Sequence, residues 1–298
     1  MTVAIDERGA AFPPIRLLGP GDLPRCVALA VDRGWSPEQA KWSLLLDASD
    51  VFGIDAPDGG GLAGAVVLTR WGPDLAAVGM MLVAARYGRR GLGRALMEHL
   101  LRAAGDGAAV TLFATDMGRP LYEKLGFEVV RRNVSFVGAF RPDSDNSKKR
   151  GARPTAAIRP ATEADLPAIL AADRAAFGAD RSRILARLPG FADNIAVLDS
   201  GRGVDGYAAA WRNDVTSTVI GPLVAPDGAA ARSLVTALAA HTSTPLRLDL
   251  DPDRPELPGW AHARGLEPAG RTVVMAHGPQ TPHGTPERLF APISVALA

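Results

Sequence analysis

The chain has 298 residues, enough for two domains that each bury a core of their own. Hydrophobic residues make up 47% and charged residues 22%, the balance of a folded globular protein, and 33 Lys and Arg against 32 Asp and Glu leave a formal net charge of +1. That neutrality argues against work on nucleic acid or an anionic membrane through a global field, the single cysteine, Cys26, excludes an internal disulfide, and no apolar run reaches the about 18 residues of a membrane span.

The start, Met1 to Pro14, has neither the basic opening nor the apolar stretch of a secretion signal, so a cytoplasmic location is expected. The five histidines are scattered and share no ligand spacing with Cys26, so no metal site is expected.

In chain order, Ile15 to Pro24 reads as a short strand followed by an acidic, proline-bearing helix start. Ser36-Pro-Glu-Gln39 has the pattern of a capping box with Pro37 at the first helical position, opening a second helix with Trp42, Leu45 and Leu46 inward. Val51 to Ile54, Leu62 to Arg70 and Leu75 to Val83 read as strands of an antiparallel meander, separated by turns at 55–60 and 71–74.

After Val83 comes the most informative stretch, a glycine-punctuated basic turn opening an amphipathic helix. Gly88, Gly91 and Gly93 allow close approach of an anion to the backbone, the helix start offers free N–H groups, and Arg89, Arg90 and Arg94 add donors suited to phosphate oxygens. The competing phosphate motifs fit poorly. A dinucleotide fingerprint needs a third glycine where Leu96 stands, and a P-loop needs Gly-Lys-Ser/Thr where the chain has Gly93-Arg94-Ala95. The plain alternative is a tight turn with solvated arginines.

Leu92, Ala95, Leu96, Leu100 and Ala103 carry the helix on to a stop at Gly105. Val110 to Ala114 reads as a strand, Arg119 to Leu125 as a short helix ended by Gly126, and Phe127 to Arg131 and Val134 to Phe140 as two closing strands. The fold class is α+β, a mixed and mostly antiparallel sheet flanked by helices.

The chain then starts again. Ile15-Arg-Leu-Leu-Gly-Pro-Gly-Asp-Leu-Pro24 returns as Ile158-Arg-Pro-Ala-Thr-Glu-Ala-Asp-Leu-Pro167 at an offset of 143, and Gly126 and Glu128 are matched by Gly265 and Glu267 at an offset of 139. The polar, charged stretch 141–155 reads as a linker, which divides the chain into domains at 1–140 and 156–298, the second with an apolar tail docking on the protein.

The order Val83, Gly88-Arg-Arg-Gly91-Leu-Gly93, then Thr115, Gly118, Pro120-Leu-Tyr122 and Leu125-Gly-Phe127 resembles the GNAT acetyltransferases, whose acyl-CoA turn has the form Val-x-x-x-x-Arg/Gln-x-x-Gly-x-Gly/Ala. This chain departs from that form at one place, with Gly88 where the family has Arg or Gln and arginines at 86, 89 and 90. The resemblance implies two tandem GNAT-like domains and acetyl-CoA as co-substrate, its pyrophosphate held by main-chain N–H groups of the turn.

It further implies that the thioester carbonyl meets a backbone N–H near Leu82 or Val83, that Tyr122 serves as general acid, and that an amine attacks the thioester directly. The cofactor-binding set is therefore Leu82, Val83, Gly88, Arg89, Arg90, Gly91, Leu92, Gly93 and Arg94. Tyr122 has an ordinary alternative, packing on Phe127 as a half-buried tyrosine.

The fourth strand carries no carboxylate, so no general base is evident. Asp32, Trp35 and Glu38 flank the helices that line the acceptor pocket in relatives, and also read as caps, surface charges or packing residues.

In the second copy, Leu223 to Val235 corresponds to the turn with one glycine and an acid at Asp227, and Ala261 stands at the position of Tyr122, the picture of a degenerate domain. It resembles bacterial two-domain acetyltransferases whose C-terminal half completes the acceptor pocket. In this chain that role would fall to Asp173, Phe177, Asp180 and Arg181, which otherwise read as a helix corner with local ion pairs. The reading is an N-acetyltransferase with a small-molecule or peptide amine acceptor and no nucleic-acid or membrane partner. Pairing with a second copy is compatible with the sequence, and the alternative function is an acyl-CoA-binding or scaffold protein without catalysis.

Overall fold

The computed structural model describes residues 12–142, 157–214, 216–279 and 284–297. The contacts divide the chain into two units, Met1–Val130 with Val273–Thr281 and Val295–Ala298, and Arg131–Thr272 with Pro282–Ser294. The linker expected at 141–155 lies, from residue 143 onward, outside the described residues.

The first half of the chain runs β1 (Arg16–Leu17), α1 (Leu23–Asp32), α2 (Gln39–Ala48), β2 (Asp50–Asp55), β3 (Leu62–Arg70), β4 (Leu75–Val83), α3 (Leu92–Ala104), β5 (Ala109–Ala114), α4 (Arg119–Glu123) and β6 (Glu128–Gly138). β1 to β4 pair antiparallel in sequence order, and β5 joins β4 in parallel. α3 packs Leu92, Leu96, Met97 and Leu100 onto one face of this sheet, while α2 lies over the other, its C-cap Ser49 bonded to Thr69 of β3 and Arg70, the next residue, donating to the end of α3; Cys26, Leu29, Trp42 and Leu45 of α1 and α2 are buried as well. Burying side chains of this size supplies about 1.5–3 kcal/mol each before entropy is charged against it.

The second half follows with β7 (Ala157–Pro160), α5 (Leu166–Phe177), α6 (Ser182–Leu185), α7 (Leu188–Phe191), β8 (Asn194–Asp199), β9 (Val204–Arg212), β10 (Thr218–Val224), α8 (Gly228–Ala239), β11 (Leu246–Leu250), α9 (Pro258–Ala263), β12 (Glu267–His277) and β13 (Leu289–Ala291). β7 to β10 form a meander and β10 pairs β11 in parallel, repeating the plan of the first unit.

Two differences from the sequence expectations concern the closing strands. Residues 127–131 and 134–140, read as two strands, form the single strand β6 across Arg132 and Asn133. The strand is also exchanged between units: Val134 to Gly138 pairs with β11 in the second unit, while Val273 to His277 of β12 pairs with β5 in the first. Apolar alternation marks a strand's buried face and is silent about which neighbour it joins, so the boundaries at 140 and 156 missed the exchange.

The internal duplication has a physical signature besides sequence. Arg16 pairs with Asp22 at 2.7 Å and Asp55 at 2.8 Å, and Arg159 pairs with Asp165 at 2.8 Å and Asp199 at 3.0 Å. Each clamp ties the opening strand to the first helix start and to the end of the second strand of its unit. Arg16 holds the carboxyl of Asp22 well below the usual range and lowers that of Asp55, and Arg159 holds Asp165 well below it.

The expected capping box at Ser36 is not how α2 begins. The helix starts at Gln39 with Glu38 at its N-cap, paired with Lys41, because the N–H groups of Glu38 and Gln39 are spent on tight turns to Ser36 and Pro37 at 2.8 Å each. Among the described residues, no helix is long and apolar enough to cross a membrane, and no group of three or more His, Cys, Asp or Glu could hold a metal ion.

Candidate active site

The site begins with a bulge. Ala65 faces Leu82 and Val67 faces Gly79, so Met80 and Met81 both oppose Val66, and Met80 takes a left-handed φ of 46°. The parallel pairing of β4 with β5 ends at Val78 opposite Leu112, so the two strands part just before the bulge. Beyond it, among the described residues, no strand lies against the β5-side edge of Leu82 and Val83.

The chain then makes a 3-10 turn at Ala85–Tyr87 and reaches α3 through Gly88 to Gly91. Gly91 is the N-cap of α3, with φ 80° and no side chain to cap the helix, so the first-turn N–H groups face outward without a side-chain acceptor. Gly93 packs closely: a Cβ there would lie 3.1 Å from Met81 Cε and 3.4 Å from Leu121 Cδ2, so the helix start sits against β4 and the side chain of Leu121 in α4.

Gly88 has an ordinary φ of −58°, and it is Arg89 that takes the left-handed φ of 62°. The glycine at the departure from the family form is therefore no backbone necessity. Arg94 is exposed and paired with Glu98 at 2.7 Å, while Arg90 lies 5.9 Å from the Tyr87 ring centroid.

Tyr122 projects from α4 and is only 7% exposed, and its burial pushes the phenol up to about 12. It is held by Phe127, whose ring packs edge-on at 5.9 Å, and by Gly118, where a Cβ would sit 3.1 Å from Tyr122 Cε2. Thr115 positions that glycine, its hydroxyl accepting the Gly118 N–H at 3.2 Å.

The residues expected around the acceptor fall in three places. Asp32, at the end of α1, accepts the Ala85 N–H at 2.6 Å and so anchors the entry to the glycine-rich turn. Trp35 is 41% exposed in the α1–α2 connection, and Glu38 is half-buried, paired with the buried Lys41.

In the second unit, Asp173 and Arg181 are buried in a bidentate ion pair at 2.5 and 3.0 Å, with the Tyr207 hydroxyl donating to Asp173 at 2.6 Å and Phe177 under the guanidinium at 4.1 Å. Burial, with the Asp173 carboxylate beside it, pushes the Tyr207 phenol up. Asp180 instead pairs with Arg174 and accepts the Ser182 N–H at 2.9 Å. The expectation that these four face an acceptor is corrected for Asp173 and Arg181, which spend their charges on each other inside the core.

The second unit shows what the first has kept. On β10 an equivalent bulge falls on Gly221 and Pro222 opposite Ala209, joined by a cis peptide, and β11 again departs just before it. In this unit the opened edge is filled: β13 pairs Ala291 with Leu223 and Leu289 with Val224. Seven residues, 84–90, separate β4 from the N-cap of α3, whereas only 225–226 separate β10 from Asp227, the N-cap of α8. Asp227 accepts the Ala230 N–H at 2.8 Å, so this helix start is capped by its own carboxylate.

Where the sequence shows fewer glycines, the second unit has a shorter connection, a helix start capped by its own aspartate, and β13 along the opened edge of β10. Neither the bulge at Met80 nor the filling by β13 leaves a mark in composition or spacing.

Comparison with known proteins places both halves together. The acetyltransferase (GNAT) family matches residues 24–127, and an acetyltransferase (GNAT) domain family matches residues 169–291. An uncharacterized N-acetyltransferase of Bacillus subtilis (strain 168), YitH, is 30% identical over 227 residues, covering 75% of this chain and 77% of its own. Among solved structures, a Pyrococcus horikoshii protein assigned as an acetyltransferase superposes with a TM-score of 0.79 at 18% identity over 96% of this chain and 95% of that one. A tandem GNAT protein from the clavulanic acid biosynthesis pathway superposes with a TM-score of 0.62 at 16% identity over 90% of this chain and 99% of that one.

Proposed function

The chain belongs to the GNAT acetyltransferases and carries two of their domains, and from that premise we propose that its N-terminal half transfers an acetyl group from acetyl-CoA to the nitrogen of an amine acceptor. The observation that carries this reading is the contrast between two helix starts: α3 is capped by a glycine and bare of side-chain acceptors, and α8 is capped by its own aspartate. A pyrophosphate suits the first and is repelled by the second.

In this reading the N–H groups of Leu92, Gly93 and Arg94 take the pyrophosphate, with Arg89 and Arg90 beside them, and the opened edge of β4 at Leu82 and Val83 takes the pantetheine arm. One of those strand N–H groups stabilises the oxyanion as the amine lone pair attacks the thioester carbonyl. Tyr122 gives its proton to the sulfur as the C–S bond breaks, and the proton lost by the amine passes to water, which later restores the phenol. No residue of β4 offers a carboxylate for that proton, so water carries it.

The acceptor is a small-molecule or peptide amine, and the lone buried thiol of Cys26 suits a reducing compartment, the cytoplasm. The test is release of free CoA thiol from acetyl-CoA across a panel of amines, including amino acids, polyamines, aminoglycosides and lysine peptides. Turnover with any acceptor supports transfer; saturable acetyl-CoA binding with no thiol release across the panel supports a carrier or scaffold instead.

A further inference from the structure

The anion turn, residues 84–91, buries only Ala84 and Tyr87, with Arg90 half-buried and the rest exposed, so something other than burial must hold its shape. The connection between β2 and β3 does. Arg86 leaves the turn to pair with Asp58 at 2.7 Å and to donate to the Gly60 carbonyl at 3.2 Å. Asp58 also accepts the Gly60 N–H at 2.9 Å and the Tyr87 hydroxyl, and Arg86 stacks over the Tyr87 ring at 4.7 Å. The loop is itself fixed, because Arg25 donates to the Gly61 carbonyl at 2.8 Å and pairs with Asp55 at 2.7 Å.

The second unit serves as an internal control. Its Arg159–Asp165–Asp199 clamp repeats Arg16–Asp22–Asp55, so that part belongs to the fold. The extension toward the turn is not repeated. The β8–β9 loop spans only 200–203 where the β2–β3 loop spans 56–61, Ala168 stands at the position of Arg25, and the turn that would carry a counterpart of Arg86 is deleted. The loop extension and its arginine occur only in the unit that keeps an anion turn.

We infer that Asp58 and Arg86 are positioning residues for acyl-CoA, a staple that holds the turn between β4 and α3 in the shape that presents Gly91 to Arg94 to the pyrophosphate. Arg86 is thus a strut whose charge is already answered by Asp58, and the phosphate contacts fall to the main chain. The inference rests on the acyl-CoA reading of that turn.

The test is acetyl-CoA affinity of the full chain for wild type, Asp58→Asn, Arg86→Gln and the double variant, with dephospho-CoA run in parallel. The staple predicts that either single change weakens both ligands by about two- to five-fold, the size of a partly exposed ion pair, and that the double variant is no weaker than the singles. KM for acetyl-CoA should rise with little change in kcat, and Arg86→Lys should recover part of the loss.

Unchanged affinity in Asp58→Asn overturns the inference. So does tighter binding in Asp58→Asn with selective loss of acetyl-CoA over dephospho-CoA in Arg86→Gln, the pattern of a direct phosphate ligand. A wild type that binds neither ligand sinks the acyl-CoA reading itself, and with it the staple. Because both side chains are about half exposed, unchanged melting temperatures are expected and serve as the folding control.

Discussion

The carbonyl of Ala296 occupies the space that a Cβ on Gly79 would need, one residue before the bulge of β4. Within the second unit, the carbonyl of Pro292 stands in that relation to Gly221. Each glycine admits backbone close to its own bulge, and Ala296 and Leu297 are buried.

Gly79→Ala should therefore displace the segment at Ala296, since neither backbone can yield without leaving its place. The expected cost is about 1–3 kcal/mol, as for other overpacked sites, read as a lower denaturant midpoint. Wild-type stability in this variant would show that the segment is not seated there.

Tyr122→Phe removes the proposed proton donor while keeping the ring on Phe127. The expected result is a fall in kcat of about 100-fold with acetyl-CoA KM near wild type. Because burial places the phenol at about 12, the proton stays in place through neutral and moderately alkaline pH, so kcat should show no alkaline decline there that Tyr122→Phe abolishes. Unchanged turnover in the phenylalanine variant would remove Tyr122 from the chemistry.

The clamps make acid stability a property of both halves. The carboxyls of Asp22 and Asp165 lie lower in the folded chain than in the unfolded one, held there by Arg16 and Arg159. Their contribution is therefore complete above the unfolded carboxyl range, near pH 4, and disappears as pH falls through the depressed folded values. Asp22→Asn should lower stability by about 1 kcal/mol at neutral pH, a figure kept small because Arg16 is partly exposed and screened. Its deficit against wild type should shrink as the pH is lowered below about 4; a pH-independent deficit would contradict the assignment.

Cys26 is fully buried on α1, and burial pushes its thiol up to about 12. The native protein should leave a thiol reagent unreacted until it unfolds, which makes thiol release from acetyl-CoA readable without a protein background. Prompt reaction of one thiol per native chain would contradict this burial.

The sequence carried the repeating plan and the glycine-rich turn because both are local. Gly91 is needed for a positive φ and Gly93 for contact with Met81, and each leaves its mark within a few residues of Arg89. What it did not carry is long-range. The partner of Arg86 lies 28 positions away in a loop, the exchange of Val134 to Gly138 for Val273 to His277 depends on pairing choice, and Asp173 and Arg181 look alike on a surface or in a core until burial is known. The shorter connection before Asp227 was visible only as a poorer match, since absent residues leave nothing to read.

The fold is built twice and, under the proposed function, takes acyl-CoA in one unit alone; calorimetric titration of the full chain with acetyl-CoA decides this. Saturation at one equivalent is predicted, with a rise in melting temperature on binding. Two equivalents would show that β13 and Asp227 do not close the second cleft, and no binding would show that the turn before α3 is not an acyl-CoA site.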